Sequence, residues 1–361
     1  MTSKERVKNC LKRKNTDRLP IGVMTFTPDI IVKFEKQLGA DGYNDVLRTL
    51  GVDVKKLKLP YRAQTDAFQE EYRRRYSRDW PYSDVHVPYR FMESFGIEQS
   101  GTYSAVMGCI FEDIEDVKPI EDYPWPDVEW LDYEAMRDEM IVSGEFALSA
   151  PDWSPIFGTL CDFFGIESAM INMKLNPTII DAAIERITDY FYRRNQRMYE
   201  TCKGLFELFY IGDDFASGQG LMISVDTFNR FFRNPLQKLI DQAKSYDLFI
   251  HEHCCGMMTE LLPVFIEMGV DVVEPCQFHI TGMEPAKLKR EYGRDIVFYG
   301  GVNTQHTMPF GTPDQVRQEV RALHEVFSNG GFILCSDHCL LDHFPLENMM
   351  AMHEEARLCF Y

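Results

Sequence analysis

The stretch 247–256, DLFIHEHCCG, ends a short apolar run in side chains able to bind a metal ion. Read as a strand, Leu248, Phe249 and Ile250 are core, and His251, His253 and Cys255 follow at every second residue, so all three share one side. An imidazole nitrogen and a thiolate two residues apart can close on one zinc ion, with bonds of about 2.0–2.1 Å to nitrogen and about 2.3 Å to sulfur. Two donors hold no metal tightly, and a buried cysteine is often only a small apolar residue. Further donors must come from elsewhere in the chain. HEHCC lacks the helical spacing of the HExxH metalloprotease motif. His251 is expected to point inward as a structural hydrogen-bonding group, and Cys254 to lie on the opposite side.

The elements that would position such donors follow a rhythm. Apolar β-type runs at 155–160, 206–211, 248–253, 270–274, 296–300 and 332–336 are separated by helix-length stretches such as 178–197, 226–246, 257–268 and 312–327. Strand alternating with helix predicts a parallel sheet. With PIGVMTFT at 20–27 and one more strand, from 54–59 or the hairpin-rich region at about 76–111, the count reaches eight. A (β/α)8 TIM barrel is preferred over a doubly wound sheet because no glycine-rich phosphate loop follows the first strand. Amphipathic helices are predicted at 3–14, 28–38 and 43–50, a hairpin-rich insertion at about 76–111, and a surface connection at 119–131. Residues 1–361 are read as one domain.

Reactive side chains fall where the strands stop: Asp213 and Asp214, His253 and Cys255, Cys276 and Gln277, Asn303 and Gln305, then Cys335, Asp337 and His338. In a barrel these carboxyl ends share one face, the face that carries active sites. The expected metal donors are His253, Cys255, Cys276 and His338, with Cys335 and Cys339 as further candidates. Asp213 and Asp214 read equally as catalytic acids or as helix caps. Tyr299 is a candidate for proton handling, and Gln277, Asn303 and Gln305 for substrate contacts.

Composition narrows the class. Apolar residues make up 45% of the 361 and aromatics 13%, enough for a core without staples, and ten scattered cysteines form no disulfide framework. A reducing cytoplasm fits this usage. Lys plus Arg number 38 against 56 Asp plus Glu, and the formal charge of −18 disfavours nucleic acid as a partner. No window reaches the roughly 18 apolar residues of a membrane span, and the first residues lack a signal-peptide core.

Several segments, taken together, resemble the uroporphyrinogen decarboxylase superfamily: DRLP, YPWPDVE, IGDDFASGQGLMIS, HCCG, LLPVFIEMGVDVVEPCQ, FYGGVNTQHTMPFGTPDQVRQEV and GGFILCSDHCLLDHFPLENMMAM. The resemblance implies a (β/α)8 barrel and one of two chemistries, metal-free decarboxylation of a tetrapyrrole or zinc-dependent methyl transfer involving a corrinoid protein. The arginine-rich segment that follows the first strand in the decarboxylases is replaced by VMTFTPDIIVKF, which has no arginine to bind a polycarboxylate. The methyltransferase branch is the better match. Its His-x-Cys motif falls on His253 and Cys255, its later cysteine aligns with His338, and a glutamate position aligns with Cys276.

The resemblance thus implies zinc, a methylcobamide carried by a partner corrinoid protein, and a thiol or tetrahydrofolate-type methyl acceptor. A homodimer is common for the family. The rival readings are a metal-free lyase acting on a pyrrole or aromatic acid, and a non-catalytic corrinoid-binding barrel.

Overall fold

The computed structural model describes residues 1–24, 26–60, 109–151 and 153–361. Among these described residues seven strands form one sheet: β1 (Val54–Lys56), β2 (Ala147–Ala150), β3 (Leu208–Gly212), β4 (Phe249–His253), β5 (Val272–Cys276), β6 (Val297–Val302) and β7 (Phe332–Ser336). They lie side by side in chain order, and every pairing is parallel. Strands β2, β3, β5, β6 and β7 are buried along their whole length, as expected where helices cover one face and the interior fills the other.

The sheet curls toward closure without completing a ladder. Between β7 and β1 lies the segment around Ile21, which bridges Leu334 through single hydrogen bonds: Leu334 N–H to the Pro20 carbonyl, 2.9 Å, and Gly22 N–H to the Leu334 carbonyl, 2.8 Å. On its other flank the Asp53 and Val54 N–H groups donate to the Ile21 carbonyl at 2.7 and 3.2 Å. Pro20 has no N–H to extend the pairing. At Gly22 a Cβ would stand 2.0 Å from the Tyr299 hydroxyl, so no side chain fits. Over its described residues the expected first strand, 20–27, is therefore a seam of isolated bridges, and among the described residues the fold is an incompletely closed, TIM-barrel-like α/β sheet with N-terminal helices.

The helix Ser3–Leu11 opens with a capping box, Thr2 with Glu5. It packs Val7, Cys10 and Leu11 onto interior residues such as Val54, Val272 and Ile333. The Cys10 thiol reaches the carbonyl of Phe332, where β7 begins, so this helix covers the amino ends of the strands. Left-handed glycines, Gly39 and Gly51, stop Pro28–Leu38 and Tyr43–Leu50 where the apolar periodicity predicts.

Four expectations are corrected. The run 155–160 is not a strand but the start of the helix Ile156–Phe164, because a short apolar run buried on all sides looks the same in either state. The strand that takes its place is ALSA, Ala147–Ala150, whose residues carry little β-propensity, while 54–59 does hold β1. The stretch 226–246 is two helices, Val225–Phe231 and Arg233–Lys244. The connection 119–131 is buried rather than superficial, with Ile120, Tyr123, Val128 and Leu131 in the core. Of the hairpin-rich insertion expected at 76–111, all but the last three residues lie outside the described ones; Ile110 and Phe111 belong to the core.

Candidate metal centre

Strand β3 stops at Gly212 and β4 at His253, and these residues are paired in register. Gly212 sits at φ 141°, and a Cβ there would lie 2.2 Å from the His253 carbonyl oxygen, so only glycine lets the two backbones approach. That closeness brings Asp214, two residues on, against the end of β4. Asp214 Oδ1 accepts from the Cys255 N–H at 2.9 Å and lies 3.3 Å from His253 Nε2; Cys255 Sγ lies 3.4 Å from the same nitrogen.

Among the described residues, Asp214, His253 and Cys255 place their ligand atoms within 4.8 Å of one another. The Cys255 loop is held from two sides. Gly256 N–H donates to Gln277 Oε1 at 2.7 Å, and Met257 N–H to the Ser217 carbonyl at 2.8 Å, within the small hairpin that follows β3. The Trp153 ring lies 4.7 Å from that of His253 and walls one side.

A buried polar network underlies His253. Tyr210 Oη stands 2.9 Å from His253 Nδ1 and 3.0 Å from Glu274 Oε1, and Lys56 Nζ pairs with that carboxylate and lies 3.2 Å from Tyr210 Oη. The other Glu274 oxygen is 2.8 Å from His251 Nε2, whose ring is completed by Ser149 at Nδ1, 3.2 Å. Burial alone would raise the Glu274 pKa, yet Lys56 and His251 hold it well below the usual carboxylate range. Burial likewise opposes charge on His253, but Cys255, Asp214 and Glu274 outweigh it and hold its pKa well above the ordinary value. The Cys255 thiol is pushed up by burial, which the neighbouring His253 offsets only in part.

The other sequence candidates are dispersed. Cys276 is core: its Sγ is turned to the Val273 carbonyl at 3.5 Å and takes no part in the cluster. The reason is local, since β5 shifts register between Val273 and Cys276. Cys335 is interior and bonded to the Ser336 carbonyl. His338, half-buried after β7, also stands outside the three-donor cluster; burial and then the charge of His253 depress its pKa. Asp213 accepts from the Phe157 and Gly158 N–H groups, both 2.7 Å, and so caps Ile156–Phe164. Tyr299 donates to the Val23 carbonyl, 3.1 Å, inside the sheet. Asn303 Oδ1 holds its own loop by accepting from the Gln305 and His306 N–H groups.

Sequence reasoning missed Lys56, Tyr210 and Glu274 altogether, and it read Asp214 equally as a catalytic acid or a helix cap without considering it as a metal donor. A charged residue within each of two short β runs, VKK and VVEPC, was the available signal.

Outward from the same strand, Glu252 faces Asp213 from a fully buried position, and burial followed by that neighbour pushes its pKa from 4.5 up to about 8. The folded state keeps a proton that the unfolded chain releases above pH 4.5. The stability from this group is therefore complete below about pH 4.5 and is lost as pH rises through 8. Glu252→Gln is expected to gain on the order of several kcal/mol over the parent at pH 8 and almost nothing at pH 4, read by denaturant unfolding at both values.

A family model described as uroporphyrinogen decarboxylase (URO-D) matches residues 156–358, which hold β3 to β7 and every member of the donor cluster. The chain belongs to the uroporphyrinogen decarboxylase family. Within that family it is similar to a methyltransferase: it is 25% identical, over 189 residues and 52% of its length, to the methylated-thiol–coenzyme M methyltransferase of Methanosarcina mazei. The match covers 47% of that enzyme, so the chain spans about half the length of the curated relative it matches. A solved structure, a methyltransferase from Methanosarcina mazei, superposes with a TM-score of 0.69 at 18% identity over 99% of both chains, which shows a shared fold. No helix among the described residues is long and apolar enough to cross a membrane.

Proposed function

We propose that this member of the uroporphyrinogen decarboxylase family is a zinc-dependent methyltransferase with a TIM-barrel-type active site. It would move a methyl group between a partner corrinoid protein and a thiol or tetrahydrofolate-type acceptor. The observation that carries this reading is the Asp214–His253–Cys255 cluster at the carboxyl ends of neighbouring strands.

The donor set fits zinc. One oxygen, one nitrogen and one sulfur suit a borderline-soft ion. The 3.3 and 3.4 Å separations from His253 Nε2 match the roughly 3.5 Å between donors of a tetrahedral site with bonds of about 2.0–2.3 Å. Three protein donors also leave a fourth position for a substrate, as catalytic zinc requires. When bound there, zinc would favour the deprotonated form of an acceptor thiol at neutral pH.

The chain's own residues do the rest. Asp214 orients the Cys255 backbone while offering its carboxylate, and Trp153 excludes water from one side of His253. His338, whose pKa burial holds below the ordinary value, follows β7 on the same face and is the candidate base for the thiol proton. Similarity to a thiol methyltransferase supports a thiol acceptor before a pterin. The metal-free lyase and the silent barrel gain no specific observation.

The test is elemental analysis of protein purified without chelator, followed by methyl transfer from a methylated corrinoid protein to thiols and reduced pterins. About one zinc per chain with turnover is expected; absence of zinc sinks the reading.

Metal uptake must displace protons from His253 and Cys255, both of which hold them above their ordinary pKa values. Zinc affinity is therefore expected to fall as pH drops from 7.5 to 6.5, by up to about tenfold for each proton displaced. Chelator competition at the two pH values measures it.

A further inference from the structure

We propose that Tyr210, Glu274 and Lys56 form a positioning relay that fixes a proton on Nδ1 of His253 and so reserves Nε2 for the metal. The inference rests on the metal-centre reading above and assigns that site a supporting structure of its own.

Donors and acceptors around Tyr210 decide where the proton sits. Lys56 has only protons to give, and an ionised Glu274 has only lone pairs. Tyr210 Oη lies between them, 3.2 Å from Lys56 Nζ and 3.0 Å from Glu274 Oε1, and 2.9 Å from His253 Nδ1. A phenol carries one proton and two lone pairs. Given to His253, that proton would leave two oxygens, those of Tyr210 and Glu274, facing each other at 3.0 Å with no proton on the line between them and only Lys56 beside both. Given to Glu274, it satisfies the carboxylate, and the Tyr210 lone pairs receive Lys56 and the Nδ1–H of His253.

The second assignment puts one proton in each of these three contacts of Tyr210 Oη. The Nδ1 proton is then spoken for, and Nε2 is the nitrogen aimed at Cys255 and Asp214.

Burial makes the arrangement rigid. Glu274 is fully buried, Tyr210 is 3% exposed, and Lys56 lies over the Tyr210 ring, 4.3 Å from its centroid. Because Tyr210 is on β3, Lys56 on β1 and Glu274 on β5, the relay ties the ring orientation of His253 to three strands at once. Partners of this kind orient a ligating imidazole and raise its basicity. None of the three touches substrate or metal; they act through His253.

The experiment is NMR of protein labelled with 15N in its histidine rings, together with zinc competition against a chromophoric chelator. A slowly exchanging Nδ1–H on His253 is expected in both the metal-free and the zinc-loaded protein, with Nε2 metal-shifted in the latter. Tyr210→Phe, which keeps the ring and removes the hydroxyl, and Glu274→Gln, which keeps the shape and removes the charge, should each speed that exchange and weaken zinc by about 10–100-fold. Metal on Nδ1, or unchanged exchange and affinity in both variants, overturns the relay. The wild-type spectrum can refute it even if a variant fails to fold. A protected Nδ1–H in a protein that takes up no zinc would uphold the proton assignment and overturn the metal-centre reading.

Discussion

His253→Ala and Cys255→Ser are expected to strip the protein of zinc and to abolish methyl transfer. Each removes one of three donors whose ligand atoms lie within 4.8 Å of one another. Lewis-acid stabilisation of several kcal/mol disappears with the ion, so turnover should fall on the order of 1,000-fold or more. Elemental analysis and a methyl-transfer assay read the two effects separately. Cys276→Ala supplies the contrast. Its thiol faces the Val273 carbonyl in the core, so zinc content should be unchanged. Loss of metal in Cys276→Ala would mean that β5 supplies a donor after all.

The second large effect is on stability. Asp53→Ala should destabilise the fold by about 3–5 kcal/mol, because it strips partly buried Arg18 of this carboxylate and leaves buried Arg6 to the more exposed Asp17. Asp53 is fully buried and takes Arg6 at 2.6 Å, Arg18 at 2.7 and 3.0 Å, the Ser3 hydroxyl at 2.8 Å and the Ile21 N–H at 2.9 Å. That last bond holds the seam between β7 and β1, so the loss should spread beyond the ion pairs. Arg48→Ala, which breaks an exposed pair with Glu145, should cost no more than about 1 kcal/mol. Denaturant midpoints of the two variants decide it. Equal shifts would show that the Asp53 cluster does not hold the seam.

The β-type runs that end in reactive residues, 206–211, 248–253, 270–274, 296–300 and 332–336, all proved to be strands of one parallel sheet, within two residues at either end. Their signal is strong because buried parallel strands are apolar throughout and their spacing leaves room for a helix. The places where reading failed share a cause. ALSA lacks β-branched residues, and the run 155–160, PIFGTL, is too short and too evenly buried to show a period, so neither separates strand from helix. The neighbouring pair of acids was ambiguous for the same reason: adjacent in sequence, Asp213 and Asp214 turn to opposite tasks, one capping a helix and one meeting His253.

By itself the amino-acid sequence determined the α/β class, the spans of the N-terminal helices, and the placing of His253 and Cys255 at a strand end, because periodicity and i, i+2 spacing are local properties of a chain. Which other groups meet them was decided by tertiary structure alone. Asp214 joins because Gly212 admits the β4 backbone, and Cys276 stays away because β5 shifts register. Lys56, Tyr210 and Glu274 converge from three strands as far as 218 residues apart. Contacts of that kind depend on how strands lie side by side, and no pattern along the chain encodes them.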